Sequence, residues 1–225
     1  MFLSIQQPEF FPWAGFFNKI KSVDKTVILD NVQFKKRYFE NRCTIKVDNQ
    51  SKWLTIPVKT KGRYSQNICD VFIDNSTYWT KKTWSLIHHN YSKAPFWSEN
   101  SDFIEKVFLK KQWSKLLDIN LYIIAYLCDY LGIRFDYVMG SELDLEYSDS
   151  LLILQLCKKM NATKYLSGEF GMNYLDEDEF KREDIQIVYQ EFQPRTYPQI
   201  NKPFVGPLSI LDLVMNNGKR SIEYI

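Results

Sequence analysis

Residues that usually carry catalysis are scarce in this sequence. Its two histidines, His88 and His89, are adjacent in a stretch with helical spacing, so at most one of them can face a given site. The four cysteines are far apart and form no C-x-x-C pair, which argues against a zinc site or a disulfide framework and predicts a reducing, cytoplasmic environment. Neither a P-loop nor a G-x-G-x-x-G fingerprint occurs, so no cofactor is predicted.

Long apolar segments are also missing. No apolar run approaches 18 residues, so the sequence predicts no membrane span. The N-terminal stretch MFLSIQQPEFFPW has neither a basic region nor an uninterrupted apolar region, so it is not expected to be a signal peptide. There is no repeat, low-complexity tract or linker, and residues 1–225 are therefore expected to form a single domain.

Charge is nearly balanced overall but unevenly distributed. The net charge of +2 argues against a nucleic-acid partner. Residues 19–63 nevertheless hold twelve Lys and Arg against four Asp and Glu, whereas residues 142–191 hold twelve acidic residues against five basic ones. The basic third either meets an anionic ligand such as a nucleotide, or the two segments are simply solvated faces of opposite sign.

The strand and helix patterns predict an α/β fold: a mainly parallel, Rossmann-like sheet flanked by helices, with a small antiparallel β insert. Strand patterns occur in MFLSI, KTVILD, FDYVMGSEL, TKYLSG and IQIVYQEF, and helical spacing separates most of them. Such alternation is typical of parallel crossover units. The insert spans about residues 40–75, with a hairpin around DNQS, and a helical segment follows over about residues 78–131.

Two finer expectations concern this middle region. The stretch ICDVFID, residues 68–74, has the pattern of a further strand. Residues 102–131 have helical spacing throughout, with a possible break near Asp118, and Gly132 is a natural residue to follow the helix end. The acidic run DEDE at residues 176–179 is more typical of the first turn of a helix than of a divalent-ion site, so no metal is predicted.

Aromatic and polar residues gather where the first two strands end. Aromatic residues make up 16% of the chain, and several of them crowd the loop QPEFFPWAG directly after the first strand. Asp30 ends the second strand. In open α/β sheets ligands bind beyond the carboxyl ends of the strands, so the loop and Asp30 should border a site. Phe11 and Trp13 would stack on a base or sugar, and Asp30 would bind or deprotonate an amine.

A polar run, DNVQFKKRYFENR, continues from Asp30. Arg37 and Arg42 are suited to a diphosphate through paired, charge-assisted hydrogen bonds. The stretch SGEFG follows another strand, and its backbone amides at Ser167 and Gly168 could cradle an anion. Aromatic walls with a few fixed polar groups are typical of a nucleotide or sugar pocket.

Six blocks that run in order along nearly the whole chain resemble the WbqC-like family: IQQPEFFPWAGFFNKI, DKTVILDNVQFKKRYFENRCTIK, WLTIPVK, NYSKAPF, YLSGEFGMNYLD and YPQ followed by LSILDLVMNNG. Members of this family are associated with the biosynthesis of bacterial O-antigen and other surface polysaccharides. The resemblance implies a nucleotide-linked sugar and an activated acyl donor as partners. It leaves the assembly open, a homodimer included.

The resemblance also implies site residues. It places the catalytic roles on Asp30, Asn41 and Arg42, where Asn41 and Arg42 would hold the diphosphate or stabilise an oxyanion. Besides Phe11, Arg37 and Trp13, the substrate-binding positions are Gln7, Pro8, Gln33, Tyr91, Lys93, Ser167, Gly168, Tyr174, Tyr197 and Gln199. The pattern departs at Gln6 and Cys43, so neither position is expected to be an obligatory catalytic group.

Three functions remain open at this point. The first is a transferase that places an acyl or aminoacyl group on the amine of a nucleotide-activated amino sugar. The second is a non-catalytic sugar-nucleotide-binding or scaffold protein of the same pathway, which the lack of a nucleophile paired with a base favours. In the third, the matching blocks serve the fold alone, although burying the polar run from Asp30 to Arg42 without a ligand would be costly.

Overall fold

Five short strands form one parallel sheet in the computed structural model, which describes all 225 residues. The strands are β1 (Phe2–Gln6), β2 (Lys25–Ile28), β5 (Tyr137–Met139), β6 (Lys164–Ser167) and β7 (Gln186–Tyr189). Their order across the sheet is β5-β2-β1-β6-β7, and all four neighbouring pairs are parallel. Numbered along the chain within this sheet, the order is 3-2-1-4-5, which is the Rossmann order. The predicted fold class is confirmed.

Seven α-helices connect and cover the strands. They are α1 (Ala14–Lys21), α2 (Trp79–Tyr91), α3 (Trp97–Glu105), α4 (Leu116–Leu131), α5 (Asp149–Lys159), α6 (Glu177–Arg182) and α7 (Ile210–Asn217). A π-helical turn continues α3 over Lys106–Lys110, and 3₁₀ turns cover Ile68–Asp70, Gly140–Leu143, Glu169–Asn173 and Gly218–Tyr224. No helix has the combination of length and apolar character that crossing a membrane requires.

Two apolar cores lie in the molecule. The smaller one packs Leu3 and Ile5 of β1 against α5, whose Ile153, Leu156 and Cys157 are buried. The larger one joins α1, α2, α4 and α7 with the insert. Alternation along β1 sends Ser4 to the face opposite Leu3, where its hydroxyl bonds that of Thr26 at 2.9 Å.

The insert begins with the predicted hairpin. Strand β3 (Arg42–Val47) pairs antiparallel with β4 (Gln50–Thr55), and Asp48 adopts the left-handed conformation at the turn, with φ of 55°. The hairpin packs on α7 at the strand β3 side, where the Ser209 amide donates to the Thr44 carbonyl at 3.0 Å. This contact places β3 next to the start of α7.

One expectation for the middle region is wrong. Residues 68–74 do not form a strand, because the backbone there has scattered partners instead of a ladder: the Cys69 amide bonds the Asp30 carbonyl and the Ile73 amide bonds the Ser114 carbonyl. The helical region does break near Asp118, over residues 111–115, and Asp118 lies in the first turn of α4. Gly132 ends α4 with φ of 68°, as expected.

Candidate functional site

The parallel sheet opens between β1 and β6 at their carboxyl ends. Pairing of β1 with β6 stops at Ser4 and Leu166, whereas pairing of β1 with β2 continues to Gln6 and Ile28. The ladder between β6 and β7 also continues, to Ser167 and Tyr189. We call this opening the crevice. The connection from β1 leads to β2 on one side of it, and β6 lies on the other side. The crevice is therefore the topological switch point, where folds of this kind bind ligands.

Several predicted site residues lie at this edge of the sheet. Gln7 and Pro8 follow β1, Asp30 follows β2, and Ser167 and Gly168 end β6. The expectation that the aromatic loop and Asp30 share the carboxyl edge with the SGEFG stretch agrees with the structure in position. It leaves open which of these side chains would meet a ligand.

Asp30 is already engaged. Its two carboxylate oxygens accept hydrogen bonds from the amide and the hydroxyl of Ser141, at 2.8 and 2.7 Å. The side chain is buried. Asp30 therefore fixes the turn after β5, and each of its oxygens already accepts one hydrogen bond.

A second set of ionisable groups lies beside the crevice: Glu9, Lys19 and Glu40. Lys19 lies on the buried face of α1, and its ammonium donates to the Ile5 carbonyl at 3.3 Å, one residue beyond the last pair of β1 with β6. Burial raises the pKa of Glu9 to about 8, and the charge of Glu40 adds to this shift while that of Lys19 opposes it. Burial lowers the pKa of Lys19 to about 8, against the effect of Glu9.

Glu40 is the most enclosed member of this set, with no exposed surface. Burial raises its pKa. The backbone amides of Lys35 and Glu40 itself face the carboxylate and oppose the shift, but neither forms a hydrogen bond of normal geometry with it. Glu9 also has one carboxylate oxygen that is buried without a partner. A half-buried and a fully buried carboxylate, both with raised pKa values, beside one lysine are typical of acid–base sites.

Asn120 of α4 holds the two carboxylate segments together. Its side-chain nitrogen donates to the Pro8 carbonyl at 3.1 Å and to the Glu40 carbonyl at 2.7 Å. Because both partners are acceptors, the amide orientation is fixed, and the Asn120 oxygen is left buried without a partner. Asn41 is similar, since its nitrogen donates to the Ile56 carbonyl at 2.8 Å and its oxygen is free. The free groups are acceptors, which suit an amine or hydroxyl rather than an oxyanion.

A separate polar network surrounds Asp212 of α7, which is fully buried. Its carboxylate accepts hydrogen bonds from the Tyr91 hydroxyl at 2.7 Å and from the Tyr197 hydroxyl and Gln199 amide, both at 2.8 Å. Burial raises the pKa of Asp212, and these three donors oppose the shift. Tyr91 also accepts a bond from the Lys46 amide. Three predicted binding residues, Tyr91, Tyr197 and Gln199, therefore come together, but the group that they share is the buried carboxylate of Asp212.

The chain between β7 and α7, residues 190–209, has no regular secondary structure, and we call it the strap. Lys46 of β3 anchors it, because its ammonium donates to the carbonyls of Asn201 and Pro203 at 2.7 and 2.6 Å and to the Gln199 side chain at 3.2 Å. At its start, the Gln190 side chain donates to the Gly15 carbonyl of α1 at 2.8 Å. The strap thus spans from α1 to the hairpin.

A partly open cavity of about 260 Å³ lies under the strap. Its lining is mostly aromatic and apolar, and Trp13, 37% exposed, lies against Phe192 with ring centres 5.6 Å apart. The residues that line the cavity are Trp13, Ala14, Pro194, Arg195, Tyr197, Phe204, Gly206, Pro207, Leu208, Ser209, Ile210, Leu213 and Tyr224. Two predicted residues, Trp13 and Tyr197, are therefore in this wall.

The other predicted residues line neither the crevice nor the cavity. Phe11 is 1% exposed and packs in the larger core against Phe10 and Phe108, so it is not an open stacking surface. Arg42 lies over the Trp53 ring at 3.9 Å. The remaining ones are Gln33, Arg37, Lys93 and Tyr174, all exposed.

The sequence reasoning missed Glu9, Glu40, Lys19, Asn120 and Asp212 as site candidates. One signal was available for Lys19: it falls among Phe16, Phe17 and Ile20 on the apolar face of α1. The charged Glu9 between a proline and two phenylalanines was a second such signal. Nothing in the spacing indicated that Glu9 and Glu40 lie close together, because Asn120, which bonds the backbone of both loops, lies far along the chain in α4.

Comparison with known proteins agrees with the resemblance. The chain is 33% identical over 224 residues to Uncharacterized protein Rv1507c of Mycobacterium tuberculosis, an alignment that covers 99% of this chain and 96% of that protein. No solved structure matches the chain significantly. The model of the WbqC-like protein family matches residues 7–224, which include the β6 side of the crevice, the strap and the cavity. The chain belongs to the WbqC-like protein family.

Proposed function

We propose that the protein transfers an acyl or aminoacyl group to the amine of a nucleotide-activated amino sugar, in the synthesis of O-antigen or another surface polysaccharide. The observation that carries this proposal is the carboxylate of Glu9 beside the crevice, with its pKa raised to about 8. A general base works best when its pKa is close to the working pH, and an attacking amine has to lose a proton. Glu9 takes the role that the sequence suggested for Asp30.

The proposed step is a nucleophilic acyl transfer. The amine nitrogen attacks the acyl carbon of a thioester, acyl phosphate or aminoacyl ester, and a carbon–nitrogen bond forms. The leaving group departs with the electron pair of the bond that breaks, and the amine proton passes to Glu9. Lys19, whose ammonium lies at the open end of β1, stabilises negative charge on the acyl oxygen.

The acceptor groups around Glu9 support an amine as the bound group. The unpartnered oxygens of Glu9, Glu40 and Asn120 are all acceptors of hydrogen bonds, and they are buried. Buried polar atoms without a partner are costly, and a ligand that donates hydrogen bonds would remove that cost. An amino or hydroxyl group of a sugar is such a donor.

A second candidate is a non-catalytic sugar-nucleotide-binding protein of the same pathway. The lack of a nucleophile paired with a base favours it, since both histidines lie on α2. Both candidates require the same ligand and differ only in turnover.

The test has a binding step and a turnover step. UDP- and dTDP-linked amino-deoxy sugars and their hydroxyl analogues are first compared by thermal shift, where a ligand at a hundred times its dissociation constant adds about 2.7 kcal/mol. The ligands that bind are then incubated with acyl thioesters, acyl phosphates and aminoacyl esters, and mass spectrometry measures the amide product. We expect an amino sugar to bind in preference to its hydroxyl analogue and to gain the acyl mass.

Glu9→Gln separates the two candidates. It keeps the shape of the side chain, so binding should persist while the rate of product formation falls by about 10²–10⁴ fold. The exposed Glu191→Gln is the matched control and should retain the full rate. Binding without product in the unsubstituted protein would favour the non-catalytic candidate, and no binding by any amino sugar would contradict both.

A further inference from the structure

We propose that the cavity under the strap binds the base of a pyrimidine nucleoside diphosphate. This deepens the proposed function and rests on it only for the sugar that the diphosphate would carry. The walls are the rings of Trp13, Tyr197, Phe204 and Tyr224. Tyr197 meets Phe204 and Tyr224 edge to face, with ring centres 5.2 and 5.9 Å apart, so the aromatic surfaces are fixed against one another.

Ser209 provides the polar anchor of this cavity. It is 3% exposed, it lines the cavity, and its hydroxyl has no hydrogen-bond partner. The buried Cys43 thiol faces this hydroxyl, but no hydrogen bond of normal geometry joins them. The Ser209 amide is separately engaged with the Thr44 carbonyl. A buried hydroxyl with free capacity in an apolar cavity can either donate to a carbonyl or accept from an N–H, and a pyrimidine edge presents both.

Size limits the cavity to a single base. The cavity of about 260 Å³ is smaller than the roughly 300–1,000 Å³ of pockets that hold drug-sized ligands. A planar base fits between the aromatic side chains, and the ribose and phosphates would lie outside.

The position of the cavity favours a diphosphate at its mouth. Arg195 is the one charged residue of the lining and is exposed. The first turn of α1 adjoins the same wall through Ala14 and has neither an acidic residue nor a side-chain cap, so its free amides face an anion without competition. Trp13 of the cavity wall and Glu9 belong to the same loop after β1, so the cavity and Glu9 lie at the same edge of the sheet.

Binding of free nucleotides tests this site without the amino sugar. Isothermal titration calorimetry compares UDP, dTDP, ADP and uridine on the full chain. We expect UDP and dTDP to bind at least tenfold more tightly than ADP, and uridine to bind more weakly than UDP because it lacks the phosphates. Equal binding of ADP, or no binding of either pyrimidine diphosphate, would overturn the proposal. These ligands contain no sugar amine, so the experiment is independent of the proposed transfer. Nucleotide binding could be found while acyl transfer is not, and acyl transfer could be found while this preference for pyrimidines is not.

Three variants locate the ligand. Ser209→Ala removes a hydroxyl that makes no hydrogen bond, so the melting temperature should hold while UDP affinity falls about fivefold to tenfold; the exposed Ser98→Ala is its control. Gly15→Ala would place a Cβ 2.2 Å from an indole carbon of Trp13, which forces the ring out of the wall and should weaken UDP and uridine alike. Arg195→Ala should weaken UDP about tenfold and leave uridine unchanged. Unchanged UDP affinity in all three would overturn the assignment.

Discussion

The side-chain nitrogen of Asn120 bonds the carbonyl of Glu40 at 2.7 Å, across 80 residues of chain. The same nitrogen bonds the carbonyl of Pro8, next to Glu9. One amide of α4 therefore bridges the two loops that carry Glu9 and Glu40, which the Phe10 amide also joins by donating to the Phe39 carbonyl at 3.0 Å. This relationship makes Asn120 a positioning residue for the proposed acid–base site, since it acts on Glu9 and Glu40 through their backbone.

Asn120→Ala should destabilise the protein by about 2–4 kcal/mol, because it leaves the buried carbonyls of Pro8 and Glu40 without a donor. Urea unfolding followed by circular dichroism measures the change in the free energy of unfolding. The exposed Asn173→Ala, as a control, should change it by less than about 0.5 kcal/mol. A similarly small change in Asn120→Ala would contradict the bridging role of Asn120.

The stability of the protein should depend on the ionisation of Glu9. Its pKa is about 8 in the folded chain against an ordinary 4.5, so the folded state holds the proton more strongly than the unfolded state does. The stability that Glu9 contributes is therefore fully present below pH 4.5 and is lost as the pH rises through 8. Glu9→Gln should flatten the pH dependence of the free energy of unfolding between about 4.5 and 8.

The contribution of Lys19 to stability has the opposite pH dependence and falls in a different pH range. Its pKa is about 8 in the folded chain against an ordinary 10.5, so its contribution is present above pH 10.5 and is lost as the pH falls through 8. In Glu9→Gln, the slope between pH 8 and 10.5 should persist. Urea titrations at intervals of one pH unit check both windows, and an unchanged slope between 4.5 and 8 in the variant would show that Glu9 does not titrate in this way.

Asp30 should act mainly on the turn after β5. Asp30→Ala removes both acceptors of Ser141 and should lower the free energy of unfolding by about 1–3 kcal/mol, whereas Asp30→Asn keeps one acceptor and should cost less. Thermal and urea unfolding of the two variants measure this order. If Asp30→Ala unfolds like the unsubstituted chain but abolishes product formation, the carboxylate is catalytic and Glu9 is not the base.

Tyr91 should be a structural partner of Asp212. Tyr91→Phe deprives the buried carboxylate of one donor and the Lys46 amide of its acceptor, so we expect a loss of about 2–4 kcal/mol in the free energy of unfolding. Tyr78→Phe is the matched control, since that side chain is 77% exposed, and it should have little effect. Nucleotide affinity of Tyr91→Phe measured well below its melting temperature should stay within about threefold; a larger loss would place Tyr91 in contact with ligand.

The parallel sheet could be predicted because its strands are short apolar runs that end in recognisable turns. MFLSI, KTVILD and IQIVYQEF contain β1, β2 and β7, and their alternation with helical spacing indicated parallel pairing. The prediction of a strand over ICDVFID failed because the same composition occurs in an extended chain whose hydrogen bonds go to several neighbours. Residues 68–74 bond the ends of β2 and the break before α4 instead of one partner strand.

The candidate site was predictable in place but not in chemistry. The carboxyl edge follows from strand order, and Trp13 and Tyr197 followed from the family blocks. Which carboxylate stays free depends on contacts between distant segments: Ser141 occupies Asp30, and Asn120 brings Glu40 to Glu9. Single-sequence patterns describe neighbours three, four or two residues apart, and these pairs are separated by 31 to 111 residues.

The two strands beside the crevice form at different times during folding. Its two banks are β1, at the start of the chain, and β6, which begins at Lys164. Strands β1 and β2 can pair as soon as the first thirty residues collapse, whereas β6 has to return over a long closed loop, which is entropically slow. On the ribosome the amino-terminal half therefore carries an open sheet edge at β1 until β6 emerges. The site that a substrate would enter therefore forms only after most of the chain has been synthesised.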